Sequence, residues 1–154
     1  RDILGPSLKI LHVQGYEYSG YRARIYDIKS YFDENMRLLC PENVAQLFPT
    51  ERPVYTKVRD ELPARYMDDA WVLNSMVADG CIINGMVEHS VLFRGVKIDK
   101  GARVKNCIIM QDCHIEEGVQ LENCILDKQA IIKHDGRLIG PSAYPIVISK
   151  NMII

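Results

Sequence analysis

Histidine is the side chain best suited to moving a proton near neutral pH, which makes His114 the first candidate for chemistry, as a general base. No second catalytic group accompanies it in the sequence, and a solvated surface position is therefore the expectation. His12 and His134 stand in uninformative contexts. Cysteine offers nucleophiles, metal ligands or disulfides, and the chain has five. None is in a CxxC pair, so no structural zinc site is expected. Cys40, Cys81 and Cys113 read as packing residues. Lys97, Asp99, Lys100, Arg103 and Lys105 could gather a phosphate, but they alternate with apolar positions in the manner of a solvated face.

The elements that must position these residues form a repeat. Val72–Val77 (VLNSMV), Val87–Leu92 (VEHSVL), Val104–Ile109 (VKNCII) and Leu121–Leu126 (LENCIL) align at spacings of 15, 17 and 17 residues. Between the last two copies the match widens: Ile98 falls over Ile115, Gly101 over Gly118 and Asn106 over Asn123. Apolar anchors recur about every six residues, which is a hexapeptide pattern: three short strands per turn, one inward aliphatic side chain each, turns stacked roughly 4.8 Å apart. Repeats from about Pro63 to Leu138 make four to five coils, and only their stacking can bury the apolar faces. Cys107 and Cys124 share one repeat position; parallel Cβ vectors keep them from a disulfide, so both are expected to pack. Asn74, His89, Asn106 and Asn123 share another, where stacked amides can hydrogen-bond along the axis. Lys97 and His114 share a third, facing outward. The C-terminal stretch Ile146–Ile154 (IVISKNMII) is too apolar for a free tail and should lie on the last coil or on a neighbouring subunit.

Upstream the texture changes. Lys9–Tyr16 and Tyr21–Tyr26 read as strands around a turn at Ser19-Gly20. Asp27 can cap a helix that places Ile28, Tyr31, Phe32, Met36 and Leu39 on one face and stops before Pro41. Pro41 can open a second helix through Val44 to Phe48, and Thr50–Leu62 reads as an extended linker. A formal net charge of -1 removes the basic footprint of a nucleic-acid binder. No apolar run approaches a membrane span. The chain opens on Arg1-Asp2-Ile3-Leu4 without a secretory signal, which suggests a piece of a longer, cytoplasmic protein with reduced thiols.

Three segments carry a family resemblance. Gly20–Leu39 resembles the end of a sugar-phosphate nucleotidyltransferase domain, Arg52–Tyr66 its connection to a β-helix, and Asn74–Ile98 the β-helix of the ADP-glucose pyrophosphorylase (glucose-1-phosphate adenylyltransferase) family. The resemblance implies a mainly β chain: a left-handed parallel β-helix over residues 63–154, a linker over 41–62, and over 1–40 a short α/β remnant of the nucleotidyltransferase domain. It implies that ATP and Mg²⁺ are bound in the absent upstream part, leaving no catalytic, cofactor-binding or metal-binding residue here. The family motif GYWxDVGT carries a metal-ligand aspartate, and aligned through Gly20-Tyr21 that position is Arg24, which cannot ligate a cation. The expected role is thus assembly and regulation in glycogen biosynthesis, as a homo-oligomer and as a hetero-oligomer with a catalytic subunit. A hexapeptide-repeat acyltransferase using His114, or a purely structural oligomerisation module, are the alternatives.

Overall fold

A computed structural model describes residues 4–8, 10–56 and 60–154. Lys9 and residues 57–59, which belong to the expected first strand and the expected linker, lie outside the described residues.

Residues 65–154 form a parallel β-solenoid of five stacked three-strand turns. The first coil holds β1 (Arg65–Tyr66), β2 (Trp71–Leu73) and β3 (Met76–Val77), and the second β4 (Ile82–Ile83), β5 (Met86–Glu88) and β6 (Val91–Leu92). The third holds β7 (Lys97–Ile98), β8 (Arg103–Lys105) and β9 (Ile108–Ile109), and the fourth β10 (His114–Ile115), β11 (Gln120–Glu122) and β12 (Cys124–Leu126). The fifth holds β13 (Ile131–Ile132), β14 (Arg137–Ile139) and β15 (Ile146–Ile148). Each third strand pairs in parallel, giving three five-stranded sheets: β1-β4-β7-β10-β13, β2-β5-β8-β11-β14 and β3-β6-β9-β12-β15. The register matches the repeat, with Val87 opposite Val104 and Ile98 opposite Ile115. Inward residues stack in aliphatic columns such as Ile83, Ile98, Ile115 and Ile132, all fully buried. Because each coil supplies the neighbour that buries the next, no coil needs a core of its own.

The corners explain why the polar residues of the repeat recur. Asn74, His89, Asn106 and Asn123 all have positive φ, between 44 and 53°. Asparagine tolerates that left-handed conformation better than most residues, so the column marks the tight corner between the second and third walls. The side chains ladder in pairs: Asn74 Nδ2 lies 2.8 Å from His89 Nδ1, Asn106 donates to Asn123, and Asn123 donates to the Gly140 carbonyl at 2.9 Å. The next position is a second ladder. Ser75 Oγ accepts from the Ser90 amide, Ser90 Oγ accepts from the Cys107 amide, and Cys107 Sγ donates to the Lys105 carbonyl. Cys107 and Cys124 are free thiols buried in this column.

One corner is cut short. The second coil, two residues shorter than the first, third and fourth, saves them between β4 and β5, where Gly85 crosses beneath the longer corner of the third coil. A Cβ on Gly85 would sit 2.5 Å from the Ala102 carbonyl oxygen, so only glycine fits. The notch is spanned by Asp69 of the first coil and Lys100 of the third, paired at 3.0 Å.

The upstream segment is helical, not α/β. Helices α1 (Leu4–Ser7), α2 (Ile28–Arg37) and α3 (Pro41–Leu47) are its regular elements among the described residues. Asp27 caps α2, accepting from the Ser30 amide at 2.7 Å while Ser30 Oγ accepts from the Asp27 amide. Pro41 occupies the first turn of α3, where its missing N–H costs nothing. The strands expected over Lys9–Tyr16 and Tyr21–Tyr26 do not form in the described part. A hairpin without a surface to pack on is marginal in water, and Ile10, Leu11, Tyr16 and Tyr26 are exposed.

Candidate functional site

The third wall of the solenoid differs from the other two because its outward positions are also apolar. Met76, Val91, Ile108, Ile125 and Val147 form one outer column. Helix α2 lies across its middle, with Phe32 packed on Ile108 and Ile125 and flanked by Tyr31, Met36, Phe93 and Met110. The column therefore shows in sequence as apolar pairs (MV, VL, II, IL) where a one-sided strand would alternate, the signal of a wall covered on both faces. Two apolar grooves flank the helix. One of about 490 Å³ lies between Ile25–Ile28 and Val147, the other of about 290 Å³ between Leu38, Phe48 and Met76.

The chain before α2 is clasped to the helices by Tyr21. Its amide donates to Gln46 Oε1 at 2.8 Å, its hydroxyl donates to Glu34 Oε2 at 2.9 Å, and the Arg37 guanidinium lies 4.9 Å from its ring centroid. Partial burial, with the Glu34 carboxylate beside it, raises the Tyr21 phenol above its ordinary pKa. This clasp was not legible in the sequence, since its four residues are spread over residues 21–46. Arg24 lies exposed on the same stretch. Asp27 is committed to the helix cap, and the Ser30 hydrogen bonds hold its carboxyl below the usual carboxylate range.

His114 is on the outer face of the first wall, in register with Lys97, as the repeat required. It is partly exposed, and its Nε2 lies 2.7 Å from Asp99 Oδ2. Glu116, on the same coil, binds Lys133 Nζ of the next coil at 2.8 Å and accepts from the His134 amide. The two grooves beside α2 contain neither His114 nor Asp99. Lys97, Lys100, Arg103 and Lys105 are exposed, and Lys105 pairs with Glu88 at 3.6 Å. Burial pushes the Cys113 thiol up to about 11 and raises Cys107 well above its ordinary value, whereas the hydrogen bond from Cys107 lowers Cys124. Among the described residues, no cluster of three or more His, Cys, Asp or Glu side chains could hold a metal ion. No helix among them is long and apolar enough to cross a membrane.

Comparison with known proteins agrees with this geometry. The model of the family described as GlmU-like, C-terminal hexapeptide matches residues 63–143, more than half of the chain and the solenoid through β14. The chain belongs to this hexapeptide family. Among curated proteins it is 42% identical over 138 residues to the glycogen biosynthesis protein GlgD of Bacillus subtilis, a match covering 90% of this chain and 40% of that protein. A GlgD of Geobacillus stearothermophilus is 53% identical over 70 residues, covering 46% of this chain and 20% of the relative. A glucose-1-phosphate adenylyltransferase of Clostridium beijerinckii is 39% identical over 153 residues, covering 99% of this chain and 39% of the relative. The hexapeptide chain thus spans 40% or less of the length of these relatives. The similarity to the ADP-glucose pyrophosphorylase family holds across both its helical segment and its coils.

Proposed function

We propose that the chain is the C-terminal assembly and regulatory portion of an ADP-glucose pyrophosphorylase-type protein in glycogen biosynthesis, and that this protein is a non-catalytic, GlgD-type subunit. The parent reaction joins ATP and glucose 1-phosphate into ADP-glucose and pyrophosphate. The observation that carries the reading is the 42% identity to GlgD over 138 residues, a length that takes in the α2–α3 segment as well as the solenoid. Five free thiols suit a reducing, cytoplasmic setting.

The residues here do not suit the Mg²⁺ that the reaction needs. Arg24 stands where the resemblance expects a carboxylate ligand, and a guanidinium repels a cation at short range. Asp27, the carboxylate three residues on, is held by the Ser30 amide and hydroxyl. We therefore route no catalytic step through this chain. Its α2-covered wall and remaining surfaces would instead hold a catalytic subunit and alter that subunit's response to effectors.

The test is to purify the full-length protein alone and together with a catalytic subunit, and to assay ADP-glucose formation from ATP, glucose 1-phosphate and Mg²⁺. We expect turnover near background alone, and a shifted effector response in the co-purified complex. Rates alone equal to those of a catalytic relative, or failure to co-purify, would overturn the reading. An acyltransferase acting through His114 has less support, because no cavity described above brings a substrate to the His114–Asp99 pair.

A further inference from the structure

All five coils turn from the first wall into the second, and in four of them the corner pairs the amide of the residue just before the second-wall strand. Ala70 donates to the Met67 carbonyl at 3.0 Å, Ala102 to Asp99 at 3.3 Å, Val119 to Glu116 at 3.4 Å and Gly136 to Lys133 at 3.1 Å. Each acceptor lies three residues back, across the turn. The second coil has lost two residues of that turn, so the equivalent Gly85 follows Asn84 directly, and its amide has no acceptor among the described residues. Gly85 is nonetheless buried, and buried backbone amides are almost always paired. The groups around it are tied down. The Asn84 amide donates to the Ile98 carbonyl at 2.8 Å, the Gly85 carbonyl accepts from the Trp71 amide at 3.0 Å, and the Met86 amide donates to the Ala102 carbonyl at 2.8 Å. Among the asparagines of the chain only Asn84 precedes a glycine. Its side chain is partly exposed and weakly held, with Oδ1 3.4 Å from the Asp69 amide.

We propose that Asn84-Gly85 is a site of spontaneous deamidation in the folded protein, built into the cut corner. The Gly85 nitrogen gives its proton to hydroxide and attacks Asn84 Cγ. The Cγ–Nδ2 bond breaks, the amino group leaves as ammonia with a proton from water, and a five-membered succinimide joins the two residues. Water then opens the ring at one of its two carbonyls. One opening gives aspartate, and the other gives isoaspartate, in which the main chain runs through the side-chain carbon. No oxidation or reduction occurs: one water enters and one ammonia departs. Glycine suits the step because no Cβ obstructs the approach of its nitrogen, and glycine is the residue this corner requires, since a Cβ would sit 2.5 Å from the Ala102 carbonyl oxygen. Shortening the corner therefore both selects the glycine and frees its amide. The product adds a carboxylate one strand over from Asp99 and beside the Asp69–Lys100 pair. A cavity of about 240 Å³, lined by Gly85, Asp69 and Lys100 among others, adjoins the corner and gives the lengthened isoaspartyl chain space.

The test is to hold the folded full-length protein in mildly alkaline buffer, digest it at intervals and weigh the peptides. The peptide spanning Asn84-Gly85 should gain the mass difference between a hydroxyl and an amino group, and fragmentation should resolve aspartate from isoaspartate. Conversion should run several-fold faster than at Asn74, Asn106 or Asn123, which precede serine or cysteine, and should quicken as pH rises because the attacking nitrogen must lose its proton. Asn84→Gln, which would need a six-membered ring, should abolish the conversion. Native-state hydrogen exchange supplies a second reading: the Gly85 amide should exchange faster than those of Ala70, Ala102, Val119 and Gly136, which are paired. An intact Asn84 in the folded protein, when the same peptide freed by digestion deamidates, would overturn the proposal. So would conversion at all the asparagines alike, or a Gly85 amide as protected as its four counterparts.

Discussion

The solenoid and the segment before it contain the same kinds of aliphatic and aromatic residues and treat them in opposite ways. Ile83, Ile98, Ile115 and Ile132 are sealed from water, while Ile10, Leu11, Tyr16 and Tyr26 are more than half exposed. Hydrophobicity alone does not bury a strand; a partner does. A repeat generates its partners from its own sequence, one coil for the next, and its strands can be two or three residues long because neighbours hold them on both sides. The upstream segment has no such supply. Among its described residues, only the part that reaches the third wall, α2 with Phe32, gains a buried position.

Four measurements would break or sharpen that contrast. The largest effect is expected from Ile115→Asp, which puts a carboxylate into a fully buried column and should cost about 4 kcal/mol or more, unfolding the solenoid as seen by circular dichroism and thermal melting. Phe32→Ala should cost about 3 kcal/mol, but of docking and not of solenoid stability. Hydrogen exchange should then lose protection over residues 28–47 while residues 83–132 keep theirs; equal loss in both would show that the wall depends on its helix. A third, smaller effect follows from pH. The native state holds the Asp27 carboxyl below its ordinary pKa, so its contribution is complete above that ordinary value and is lost as pH falls through the lowered one. Acid should accordingly fray α2 before it disturbs the coils, and Asp27→Asn should remove that pH step from the exchange profile of α2. The smallest effect belongs to His114→Ala: its bond to Asp99 is near the surface, and the melting temperature should move by no more than a loss of about 0.5 kcal/mol would cause.

Much of the solenoid was legible because its signal is repeated. A 17-residue period fixes strand register, the inward columns and the asparagine corner at once, and each additional copy corrects the reading of the last. The helix over Ile28–Arg37 was legible from its cap and its apolar face. The upstream strands were misread because alternation in Lys9–Tyr16 and Tyr21–Tyr26 states a preference that only a neighbouring sheet can satisfy. At His114 the sequence showed an outward position but not the Asp99 partner, 15 residues away in the chain and next to it across the coils. Ser75 and Ser90 were part of the aligned copies, yet their role in bracing the amides of the following coil depends on hydroxyl directions that periodicity does not encode.

The cut corner at Gly85 bears on how such a chain can change over generations. Two residues are missing there, yet β5 still meets β2 and β8 in register, and Asp69 and Lys100 join across the gap. At the other end the fifth coil carries five extra residues between β14 and β15, and Val147 still faces Ile125. Gains and losses at a corner are therefore absorbed where they arise and leave the columns unshifted. A mutation of that kind can lengthen or trim an edge of the prism without asking the rest of the protein to refold, so corners are where this lineage is free to acquire new contacts while its walls stay fixed.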